Sequence, residues 1–281
     1  MAQNQKIKSN PQLFTVIIIS VLTAIFSYII LFFATNYASL YFAYDFDIVA
    51  YMGQRGAVYQ TPITDPNWSF DALTTILLAR PLTSFFLGLI SIVLLQFLNK
   101  KSTTWFYFLI WMTIWGINGA VGLLVDDAIW GIGTYEVAKA MNFSFSVVLA
   151  IGILSAYFLV LVGMLISRLY LVHFTQAPFY QKSHHFSQNI TTLILPWLVV
   201  TLLYFGNWYP EISFVEFFKN LTAIILILPF FFLKNHPDHQ RIKRKWTNPS
   251  TFDFIYLGIL FSISLLFIYL IFSQFRIDIL V

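Results

Sequence analysis

Seven stretches of this chain are apolar for about the length that a helix needs to cross a bilayer, roughly 20 residues for a hydrocarbon core of about 30 Å. They run from Leu13 to Ala34, about Ala72 to Leu98, Trp105 to Val125, Phe143 to Ser167, Ile190 to Phe205, Phe214 to Leu233 and Phe252 to Phe272. In hydrocarbon a backbone must satisfy its own hydrogen bonds, so such runs fold as helices that pack side by side. The expected fold is all-α: a polytopic transmembrane helix bundle of about seven spans, with residues 1–281 forming a single integral membrane domain. The fifth run contains Pro196 and is expected to be a kinked span.

Composition excludes the alternatives. Hydrophobic residues make up 59% of the chain and charged residues 10%, where a soluble domain carries about 25% charged residues. A soluble enzyme, a disordered chain and a coiled coil are ruled out on that ground. There is no Cys, which removes disulfides, Cys-ligated zinc, iron–sulfur clusters and thiol nucleophiles. The first apolar run follows Lys6 and Lys8 but is too long for a signal-peptide core, so it reads as a retained signal anchor.

The few charges are sorted. With the N-terminus inside, 11 of the 16 Lys and Arg fall on inner segments and 5 on outer ones, which by the positive-inside rule predicts N-inside, C-outside in a plasma (inner) membrane. The run Arg241, Lys243, Arg244 and Lys245 is the strongest single signal, and it is expected to bind anionic lipid headgroups. The net charge of +4 is spread along the flanks of apolar runs, so the lipid bilayer is the expected partner and nucleic acid is not.

Candidate sites follow from the polar residues that remain. Arg80 precedes Pro81. A second helix beginning at Asp71 places Arg80 about 13 Å inside it, where an ionisable group marks a functional site by default, paired with Asp126 or Asp127. A span beginning at Pro81, a residue favoured at the first helical position, instead leaves Arg80 among headgroups behind an interfacial helix over 70–79. Asn118 sits among Gly116, Gly119 and Gly122; these glycines allow close helix packing, the Asn seeks an interhelical hydrogen bond, and the third helix is expected to be central. The outer acids, Asp45, Asp47, Asp126 and Asp127 among them, are either solvated loop residues or groups that hold a cation or a proton. All five His are on inner segments, with His184, His185, His236 and His239 in two clusters. No cofactor is predicted; an inner-face divalent metal is the one candidate those clusters offer. The long outer connection over 35–70, rich in Tyr and Asp, is the expected functional face, its aromatics forming an interfacial belt.

HExxH and GxGD signatures of intramembrane proteases are absent. Three functions fit the residues. They are a non-catalytic subunit or scaffold acting through its outer face, with membrane proteins as partners; a transporter or lipid-handling protein with a cavity near Arg80 and Asn118; and an enzyme using inner-face His or outer-face Asp. The expectation leans towards the first and away from an enzyme.

Overall fold

The structure is a computed structural model that describes residues 11–53, 55–97, 102–131, 134–174, 177, 185–208, 214–232, 251–272 and 276–278. It is a helix bundle, as the apolar runs require. Among the described residues six helices are long and apolar enough to cross a membrane.

Helix α1 spans Pro11–Asp45, 35 residues. At 1.5 Å per residue that is about 52 Å, well beyond the roughly 30 Å of a hydrocarbon core. The connection expected to begin at residue 35 is therefore helical for its first eleven positions. The helix ends in a turn where Asp47 takes a positive φ of 55°. Strands β1 (Ala50–Gly53) and β2 (Gly56–Tyr59) then form a short antiparallel hairpin. Strand β3 (Arg276–Asp278), from the other end of the chain, adds to the free edge of β1.

Helix α2 runs unbroken over Phe70–Phe97 with Pro81 inside it. Pro81 therefore does not open a helix: residues 70–80 and 81–97 are one rod, and Arg80 lies about 15 Å from its start. Helix α3 (Thr103–Ile117), a π turn (Asn118–Gly122) and α4 (Leu123–Trp130) form the third continuous rod. It is the most buried of the spans, the central position expected from its small residues. It closes on Gly131, whose left-handed φ of 66° and N–H to the Asp127 carbonyl cap the rod.

After the short α5 (Thr134–Ala140) and α6 (Phe145–Phe174), the fifth rod comprises α7 (His185–Asn189), a second π turn (Ile190–Ile194) and α8 (Leu195–Trp208). Pro196 has no N–H to give the carbonyl four residues back, that of Thr192. Ser20 Oγ donates to this carbonyl instead, at 2.6 Å, and itself accepts from Trp111 Nε1 at 2.9 Å. Polar atoms inside a bundle must be satisfied in this way. The sixth expected run is two pieces, α9 (Phe214–Ile227) and α10 (Pro229–Phe232), because Pro229 interrupts the ladder. Helix α11 (Thr251–Phe272) completes the bundle.

Side-chain contacts fix the direction of each rod. His173, late in α6, stacks on Phe106, early in α3, with ring centroids 4.0 Å apart. Tyr28 meets Tyr204, and Phe32 meets Phe267. Consecutive rods therefore run antiparallel between a hairpin end and an opposite end. Rods α2 and α3 cross closely, where a Cβ on Gly116 would lie 2.7 Å from the Gly88 backbone and Ser84 Oγ donates to the Gly116 carbonyl at 2.9 Å.

Candidate functional site

Below the hairpin, between α1, α2, α4, α8 and α9, lies a cavity of about 560 Å³. This is within the 300–1,000 Å³ or so typical of small-molecule sites. Its wall has three levels, set by the order of residues along the antiparallel rods. Tyr28, Phe32, Trp115 and Tyr204 form an aromatic floor, in which Tyr28 meets the edges or faces of Trp115 and Tyr204 at 6.2 and 6.4 Å. Asn118, Arg80, Asp126, Asp127 and Asn220 form a polar middle. Arg55, Ala57, Val58 and Tyr59 of the hairpin form the roof.

The wide turn explains why the acids face inwards. A π turn adds a residue to one helical turn, so everything after it is rotated relative to an unbroken α-helix. Asn118 begins that turn and Asp126 and Asp127 follow it. Each of the two carboxylate residues is 1% exposed. Thr222 Oγ1 of α9 donates to Asp126 Oδ2 at 3.5 Å. Gly122 has no room for a side chain, because a Cβ would meet both Asn118 Oδ1 and Thr222 Oγ1.

Arg80 behaves differently. It remains exposed although it lies well inside α2, and among the described residues it forms no hydrogen bond or ion pair. Pro81 adds to the polarity, since it withdraws the helical donor from the carbonyl of Leu77, another lining residue.

The roof is docked by specific bonds. Ala57 N donates to Asn36 Oδ1 of α1 at 2.9 Å, and Asn36 Nδ2 donates to the Phe32 carbonyl at 2.6 Å. The Tyr59 hydroxyl and Ser39 Oγ lie 2.8 Å apart, and Ser39 Oγ donates to the Ile76 carbonyl of α2 at 2.7 Å. Burial raises the Tyr59 phenol above its usual range, against the opposing pull of the Ser39 hydrogen bond and of the Arg80 charge. Gly56 is required where it stands: its φ is +109°, and a Cβ would approach Asn36 Oδ1 to 2.5 Å.

Four residues singled out from the sequence, Arg80, Asn118, Asp126 and Asp127, thus meet in one cavity. Asp126 and Asp127 are not solvated loop residues but are buried in the bundle, because the third rod continues to Trp130. Asp45 and Asp47 are exposed at the end of α1 and are not part of the lining. Tyr37, Tyr41 and Tyr44 are exposed, as a belt requires, whereas Tyr59 has turned inwards. Arg55, Asn36 and Asn220 were not foreseen.

At the opposite end, His185 Nε2 lies 3.3 Å from Asn189 Nδ2. His184, His236 and His239, together with Arg241, Lys243, Arg244 and Lys245, lie outside the described residues. Among the described residues no group of three or more His, Asp or Glu is gathered to hold a metal ion.

The fold and the cavity define an integral membrane protein with a charged internal site. No family model, characterised protein or solved structure is detectably similar to the chain.

Proposed function

We propose that this protein is a multi-pass protein of the plasma membrane, N-inside and C-outside, that takes a small polar or lipid-derived ligand into its hairpin-end cavity as a transporter or lipid-handling protein. One observation carries this reading: Arg55, Arg80, Asp126 and Asp127 from three separate elements line a single cavity of the bundle. Charges inside a membrane domain are costly and are kept where they act on a substrate or ion path. A scaffold for a membrane assembly needs no such internal space, so ligand handling is preferred to the subunit role drawn from the sequence.

Two experiments test this. The chain has no Cys, so a single Cys introduced at Ile63 (71% exposed) reports sidedness; labelling from the outside by a membrane-impermeant maleimide is expected, and labelling only after lysis refutes the orientation. A thermal-shift screen of headgroup-sized compounds and lipids should find stabilisers of the wild type that fail to stabilise Arg80→Gln. Identical responses from the two proteins would refute the cavity as the site.

A further inference from the structure

The four charged side chains of the cavity wall differ in what a ligand can reach. Asp126 and Asp127 are each 1% exposed and already hold partners within the protein. Arg55 in the roof is half-buried and likewise partnered. Arg80 is the exception. Its side chain is exposed, and among the described residues it forms no hydrogen bond or ion pair. The charge that this wall leaves open to an incoming group is therefore positive. Its height follows from α2. Ser84, four residues on and about 6 Å further from the roof, donates to the Gly116 carbonyl, beside Trp115 of the aromatic floor. Cβ atoms tilt towards a helix's start, here the roof side, and the Arg80 charge is felt at the Tyr59 phenol. The guanidinium thus stands about one helical turn or more above apolar rings. A cation is repelled by Arg80 and finds the carboxylates closed off. A neutral ligand gains from the floor alone. An oxyanion with an apolar body gains from both levels, since a guanidinium can grip phosphate or carboxylate through two parallel N–H donors.

We propose, resting on the ligand-binding reading above, that the cavity takes an amphipathic oxyanion: its phosphate or carboxylate head on Arg80 and its apolar body on the Tyr28–Trp115–Tyr204 floor. An anionic phospholipid and a soluble alkyl phosphate or carboxylate share this chemistry, and the experiment separates them.

The full chain in a sugar detergent is offered three lipids of matched acyl chains, and binding is read by native mass spectrometry. The lipids are phosphatidylglycerol, uncharged diacylglycerol and a cationic trimethylammonium lipid. In a second arm octyl phosphate, octanoate and inorganic phosphate are titrated by thermal shift at equal ionic strength. The expected result is preference for the anionic amphiphile over the uncharged and cationic lipids by about tenfold or more, as for a charged hydrogen bond. Arg80→Gln should abolish that preference, and Arg80→Lys, which keeps the charge without the planar fork, should keep part of it. Phosphatidylglycerol binding alone assigns the bilayer lipid; octyl phosphate or octanoate binding alone assigns the soluble amphiphile; both together support the shared chemistry. Inorganic phosphate stabilising as well as octyl phosphate overturns the proposal, because the apolar body would then contribute nothing. If diacylglycerol or the cationic lipid binds as tightly as phosphatidylglycerol and its binding changes in Arg80→Gln, the cavity reading stands and the oxyanion is overturned. If no probe distinguishes Arg80→Gln from wild type, both fall. Absence of anion binding in both arms overturns the proposal, and the wild-type ranking decides it even if a variant does not fold.

Discussion

Replacing Gly116 by Ala tests the packing that holds the cavity together. The added Cβ would sit 2.7 Å from both Cα and N of Gly88 and 2.9 Å from the Ser84 carbonyl oxygen. Ordinary carbon contacts are about 3.5–4.0 Å, so the two rods must part by about 1 Å. All three atoms are backbone and have no rotamer to yield. Overpacking of this kind costs about 1–3 kcal/mol. The Ser84 hydroxyl bond to the Gly116 carbonyl, worth about 0.5–1.5 kcal/mol, is stretched by the same movement, giving a total of about 1.5–4.5 kcal/mol. The control is Gly258→Ala on α11, where a Cβ meets nothing within 4 Å; there the better helix propensity of Ala gives a change of about 1 kcal/mol or less, towards stability. The assay is reversible unfolding in mixed micelles with a denaturing detergent, following helical circular dichroism. If Gly116→Ala unfolds within about 0.5 kcal/mol of Gly258→Ala, less than the smallest overpacking cost, the close crossing is wrong. Gly88→Ala should cost a similar amount, and the double variant less than the sum, since rods already parted accept a second methyl cheaply.

Three further outcomes are expected. Ser20→Ala removes both the donor to the Thr192 carbonyl and the acceptor for Trp111 Nε1; it should cost about 1–3 kcal/mol, and Pro196→Ala in the same chain should recover part of that by restoring the helical donor, whereas no recovery would show that the carbonyl is not the group at stake. Asn36→Ala unfastens the hairpin from α1, so hydrogen exchange over residues 50–60 should quicken about tenfold; unchanged exchange would mean that the roof is held elsewhere. Tyr59 has a raised phenol pKa in the folded protein, so its stabilising contribution is complete below the ordinary value of about 10 and is lost as pH climbs through the folded value. Arg80→Gln removes a charge that favours the phenolate and should move the Tyr59 titration further up; a downward move in ¹³C-tyrosine NMR would contradict the placement of the Arg80 charge near the roof.

Much of this was legible in the residues. Hydropathy found the rods because lipid demands about 20 apolar positions from any helix that crosses it, and Arg80 and Asn118 stood out because polar groups in such runs need a reason. Rod ends were less legible. Nothing from Gln12 to Met52 is Gly or Pro, so α1 had no cause to stop at Ala34; hydropathy falls there, but helicity does not depend on it. Asp126 and Asp127 looked like loop residues for the same reason. The hairpin had a faint signal in Gly53 and Gly56, yet strands of four residues carry too little alternation to be told from a loop. Arg55 became a lining residue only through that hairpin, and Asn36 through the unread extension of α1. The break at Pro229 was readable from the proline itself, although the run around it is apolar throughout.

The π turn at Asn118–Gly122 sets a phase. Each α-helical residue advances the helix by about 100°, and the wide turn holds one residue more than its length in ordinary helix would. Wound tight, the same sequence would carry Asp126 and Asp127 about 100° further round, out of the cavity and towards neighbouring rods or lipid. The acid pair is therefore aimed by a local surplus of chain rather than by its own position in the sequence. Removing one residue inside the surplus, such as Gly119, would leave the aim nearly as it is, while removing one from the regular helix below it, such as Leu109, would swing the whole upper section round relative to the helix beneath that point. The third rod behaves as two helices joined at a fixed angular offset, and that offset is the part of the fold on which the charge pattern of the cavity depends.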